Sequence, residues 1–131
     1  MSFYSEVLDA VIDMAESACG QKIVRGENPP MGKISMNGFA APSSIMLDIG
    51  SNERMTVSLN AKSGDQQEVV GWLDMIHATL TRRKDYPTGD GWQIYSIETT
   101  ASPRLLGKEQ NPRVGWIYGS TLLVKFNVKG I

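Results

Sequence analysis

From Phe3 to Ala18 the apolar residues Phe3, Val7, Leu8, Val11, Met14, Ala15 and Ala18 recur at spacings of three and four. This is the period of one helix face, and it predicts an amphipathic helix. Ser2 suits its N-cap, and Gly20 after Cys19 is a natural C-terminal stop. Lys22–Arg25 reads as a short strand. Between Gly26 and Ser44 the chain carries Pro29, Pro30, Gly32, Gly38 and Pro42, which break regular structure. The expectation there is a long loop with one short strand, Lys33–Met36, and loops of that length are commonly binding arms.

Alternation follows. Ile45, Leu47 and Ile49, then Met55, Val57, Leu59 and Ala61, occupy every second position on either side of Gly50-Ser51-Asn52-Glu53. The pattern predicts a hairpin with one apolar face and one polar face bearing Asp48, Thr56, Ser58 and Asn60. Asp65 followed by Glu68 has the spacing of a capping box. Val69, Trp72, Leu73, Ile76 and Leu80 then repeat at helical spacing, and Arg82-Arg83-Lys84 closes the helix, where cations complement the free carbonyls. Trp92–Thr99 reads as a strand with both faces partly apolar. Pro103–Pro112 reads as a loop, and Trp116–Val128 as the clearest strand in the chain. This order predicts a single α+β domain, an antiparallel or mixed sheet of about four to five strands packed against two helices.

Composition narrows the function. A chain of 131 residues that is 41% hydrophobic and 21% charged can bury one core. A net charge of −1 supplies no field for a phosphate backbone, so no specific nucleic acid is expected as partner. One cysteine excludes an internal disulfide and a Cys-rich zinc site. No apolar run approaches the roughly 20 residues that span a bilayer, so no membrane partner is expected. The N-terminus has none of the features of an export signal.

Candidate chemistry is sparse. His77 is the only histidine and no nucleophile or carboxylate is placed beside it, which leaves it at the edge of a packed face. Cys19 sits at the helix end that raises rather than lowers a thiol pKa. Neither clustered metal ligands nor a glycine-rich phosphate loop is present, so no cofactor is expected. Trp92, Tyr95, Trp116 and Tyr118 leave open a small-molecule or peptide-binding module. An enzyme completed across a subunit interface, using His77 and a neighbour's carboxylate, is a further alternative.

The last two thirds of the chain carry a more specific pattern. Trp92-Gln-Ile-Tyr-Ser-Ile, Ser102-Pro-Arg-Leu-Leu-Gly107, Asn111-Pro-Arg113 and a long closing strand resemble tailed-phage minor capsid and tail-completion proteins, the tail terminator group among them. The hairpin and helix from Ile45 to Leu80 match that order. Lys108-Glu-Gln-Asn-Pro is less acidic than the family's polar loop, so no contact specific to that loop carries over.

The resemblance implies a non-enzymatic structural protein that forms a homo-oligomeric ring, commonly of six subunits, at the head-proximal end of a tail tube. Such a ring stops tube polymerisation. Its partners would be the tube, the sheath where the tail has one, and a head connector where a capsid exists. It would be made in the host bacterial cytoplasm and end in a virion or phage-like contractile particle. Ring closure needs two different patches that fit each other. The candidates are the arm bearing Pro29, Pro30 and Phe39, the cluster Arg82, Arg83 and Lys84, and the loop residues Arg104, Lys108 and Arg113. Acidic residues such as Asp9, Asp13 and Glu16 are their expected counterparts.

Overall fold

The computed structural model describes residues 3–26, 28–40, 45–46, 50–110 and 114–129. Helix α1 (Tyr4–Cys19) leads into β1 (Ile23–Arg25), β2 (Lys33–Ala40), β3 (Ile45–Met46) and β4 (Gly50–Ser63). Helix α2 (Gln66–Thr81) precedes β5 (Thr88–Gly89), β6 (Trp92–Glu109) and β7 (Gly115–Lys129). The fold is α+β. All seven strands join one mixed sheet in the order β1-β2-β4-β7-β6-β5, with β3 paired to β4. Among the described residues only the β1–β2 pair is parallel. The count slightly exceeds the expected four to five: β1 coincides with the short strand expected at Lys22–Arg25 and β3 with part of the expected hairpin, while β5 lies where a turn is expected.

Both helices cover one face of this sheet. Met55, Val57, Leu59 and Ala61 on β4 lie opposite Val124, Leu122, Ser120 and Tyr118 on β7. In this register the alternating apolar rows coincide. Val7, Leu8, Val11 and Ala15 of α1 and Val69, Leu73, Ile76 and Leu80 of α2 close the same core. At roughly 1.5–3 kcal/mol per fully buried large aliphatic side chain, these matched rows are the main stabilising term. Gly38 leaves room for the Met55 side chain, because a Cβ there would lie 2.7 Å from Met55 Sδ.

The helix ends follow local chemistry. Gly20 takes the left-handed conformation, φ 72°, and its N–H donates to Glu16 O at 2.9 Å. Ser2 lies outside the described residues; Phe3 holds the N-cap position without a side-chain hydrogen bond. At α2, Asp65 Oδ1 accepts from Gln67 N at 3.0 Å. The capping box is altered, because Glu68 Oε1 accepts from the Ser63 hydroxyl, 3.0 Å away, and that hydroxyl accepts from Asp65 N. The basic trio starts at the C-cap, Arg82, and lies beyond the last helical turn.

Three segments differ from expectation. Strand β2 runs eight residues, through Gly38, because its partner β4 continues beside it from Lys33↔Lys62 to Ala40↔Met55. The residues expected to turn, Gly50–Glu53, belong to β4, and the described part of the hairpin is Ile45↔Ser51 and Met46↔Gly50. Leu47–Ile49 lie outside the described residues.

Strand β6 continues through Pro103 to Glu109 instead of ending near Thr99. Proline is tolerated there because β6 lies at the edge of the sheet and needs no N–H for a neighbour on that side. A register shift between Ile94 and Ser96 also explains its mixed pattern. Trp92, Ile94 and Ile97 are all buried, whereas Tyr95 is 46% exposed. The bulge changes which parity faces the core.

Candidate assembly surfaces

The β6–β7 pair is a long hairpin whose near half is core and whose far half is surface. Over Trp92–Ile97 the inward residues are buried; from Glu98 to Glu109 β6 is exposed or half-buried throughout. Strand β5 pairs only with Trp92 and Gln93, so no described strand lies beside β6 from Glu98 to Glu109. That edge is irregular, with register shifts between Thr99 and Ala101, Ala101 and Arg104, and Leu105 and Gly107. Among the described residues the exposed large hydrophobic side chains are Met75, Tyr95, Leu105, Leu106 and Val114. All but Met75 belong to this hairpin.

The far half has two faces. Leu105 lies opposite Tyr118, and Lys108 opposite Trp116, on the helix side; the Lys108 ammonium rests 4.6 Å from the Trp116 ring centroid, a cation–π contact. Leu106 and Glu109 lie on the other side, in an open groove of about 620 Å³ that reaches across Asn60 and Lys62 to Asn28 and Pro29. Lys62 pairs there with Glu109. None of the Trp and Tyr residues expected to form a ligand platform lines this groove. Trp92 is buried and Trp116 lies under Lys108.

The outward side of α1 is acidic. Glu6, Asp9 and Asp13 are exposed there. Asp9 pairs with Arg25 at 2.6 Å, and the same guanidinium donates to Ser5 O at 2.7 Å. Glu16 Oε2 accepts from Ile23 N at 2.8 Å, so this residue, expected among the free acids, ties α1 to β1. Glu6 and Asp13 have no cation partner among the described residues.

The predicted contact residues do not converge. Pro29 is buried and Pro30 exposed; Phe39 pairs through its backbone with Thr56. Arg82, Arg83 and Lys84 are exposed beyond α2, with Arg83 Nε donating to Asp85 O at 3.0 Å. Arg104 and Lys108 share the open β6 edge, and Arg113 lies outside the described residues.

The histidine weighed for an active site completed by a neighbour is enclosed between α2 and the β6–β7 hairpin. His77 is 7% exposed; Nδ1 is 2.7 Å from Thr99 Oγ1 and Nε2 is 2.7 Å from Ser120 Oγ. With both nitrogens occupied, the ring has no free position for a neighbour's carboxylate. Burial lowers its pKa, against a smaller opposing pull from Asp74. Burial also raises the Cys19 thiol, which disfavours the reactive thiolate. Among the described residues no group of three or more His, Cys, Asp or Glu could hold a metal ion. No described helix is long and apolar enough to cross a membrane.

No protein-family model and no curated protein sequence matches the chain. Among solved structures, a chain in the virion of a native gene transfer agent particle superposes with a TM-score of 0.57 at 12% identity. The match covers 95% of this chain and 95% of that one. The two share a fold. At this identity the likeness concerns backbone architecture, and the side chains at the surfaces described above are this chain's own.

Proposed function

We propose that this protein is a structural subunit of a phage or phage-like tail, forming a ring that caps the tail tube at its head-proximal end and ends polymerisation. The observation that carries this reading is the fold shared, nearly end to end, with a chain of the gene transfer agent virion. The order of motifs from Trp92 to the closing strand agrees with it. A non-catalytic role fits the engagement of His77 by two hydroxyls. The ring, commonly six copies, would meet the tube, the sheath where the tail has one, and a connector where a capsid exists.

Light scattering on the purified chain, followed by negative-stain imaging, tests the proposal. A closed ring of about six copies is the expected result, since cyclic closure suits a symmetric tube. A strict monomer at every concentration, both alone and with tail-tube protein, would count against it.

A further inference from the structure

Ring closure, on the reading above, requires two unlike surfaces on one chain, and the sheet supplies them at its two ends. At one end the open stretch of β6 presents Arg104 between exposed segments, with Leu105 50% and Leu106 52% exposed beside it. Arg104 has no anionic partner among the described residues, whereas Glu98 and Glu109 are held by Lys125 and Lys62. The local charge at this edge is therefore positive. At the other end of the sheet, α1 packs on β1 and β2, and its exposed stripe carries Glu6, Asp9 and Asp13. Strands β7, β4 and β2 lie between β6 and β1, which keeps the two surfaces apart within one chain.

We propose that the β6 edge around Arg104 and Leu105 in one copy docks on the acidic outer face of α1 around Glu6 and Asp13 in a second copy of this chain. Charge complementarity selects the partner: one end offers an uncompensated cation, the other uncompensated carboxylates, and opposite potentials fix register and suppress wrong pairings. The exposed leucines supply the apolar part of the contact. The contact is made by side chains, because Pro103 and the successive register shifts deny a neighbour a regular backbone ladder. Away from this edge, the other exposed cations without an ion pair among the described residues, Lys22, Lys33, Arg54, Arg82, Arg83 and Lys84, have no pair of exposed leucines next to them in the chain. Since the two surfaces differ, each copy can engage two neighbours head to tail, which is the geometry of a ring or a filament.

The test uses disulfide trapping in the full chain with Cys19→Ser. One preparation carries Arg104→Cys and a second carries Asp13→Cys; both positions are exposed, so folding is expected to survive and is checked by circular dichroism. Mild oxidation at high concentration should give a covalent dimer in the mixture and far less in either preparation alone. In parallel, Arg104→Glu and Asp13→Lys should each weaken self-association by about tenfold, equivalent to about 1.4 kcal/mol, and combining them in one chain should recover most of the loss. If the unmodified chain forms rings while the mixture does not crosslink and the reversals leave assembly unchanged, this contact is wrong and the ring reading stands. If the unmodified chain never assembles, with or without tube protein, and no crosslink forms, both fail.

Discussion

His77 Nε2 and Ser120 Oγ lie 2.7 Å apart, and this contact, with the matching one from Nδ1 to Thr99 Oγ1, fastens α2 to the two strands of the long hairpin. The ring is the only imidazole in the chain, and it adds a polar tie to the apolar packing between α2 and the hairpin. Replacing it with alanine removes packing and leaves two hydroxyls without their partner. His77→Ala should cost about 2–4 kcal/mol, read as a lower denaturation midpoint with an unchanged slope.

The same ring predicts a pH dependence. Burial holds its pKa below the ordinary value in the folded chain, while the unfolded chain titrates near about 6.5. Above that pH both states are neutral and the stabilisation is complete. As pH falls below it the unfolded state takes up a proton first, so stability declines until the lower folded pKa is reached. Denaturant titrations from pH 7.5 to 5 should show this decline. In His77→Gln, which keeps a polar side chain but does not titrate, that part of the decline should be absent.

Gly89 lies against the Trp92 indole. A Cβ added at Gly89 would come within 2.1 Å of Trp92 Cε2 and 2.5 Å of Cζ2, and a rigid buried ring cannot yield as a flexible chain end does. Gly89→Ala should destabilise the fold by about 1–3 kcal/mol and shift the tryptophan emission as Trp92 is displaced. An unchanged spectrum and melting temperature would refute this account.

Asp65 supports the start of α2 through its bond to Gln67 N. Asp65→Ala should cost about 1 kcal/mol and Asp65→Ser much less, because serine restores an acceptor at the cap. Thermal melts of the two variants side by side distinguish loss of the cap from loss of negative charge.

The sequence made the helices plain because each presents a continuous apolar stripe and a clear end, Gly20 for α1 and Asp65 for α2. Strand β7 was equally legible from its unbroken alternation. What escaped was how far two strands run. The short strand expected at Lys33–Met36 continues through Gly38 to Ala40, and its pairing with β4 is what extends it there. In β6 a proline and several bulges imitate a loop, and no local pattern shows that β7 is long enough to keep pairing with it. Among the site residues, Arg104 and Lys108 could be identified as exposed cations, but their common edge could not. Glu16 illustrates the limit in the other direction, since nothing nearby reveals that its carboxylate is taken by a backbone amide of β1.

Pro103 and the bulges around it also bear on the time before any partner arrives. A straight, exposed strand of this length would be a template onto which further strands could be added without limit, the starting point of cross-β growth. The interrupted backbone of β6 removes that template. Copies of the chain can therefore accumulate in a waiting pool without their longest edge seeding fibres.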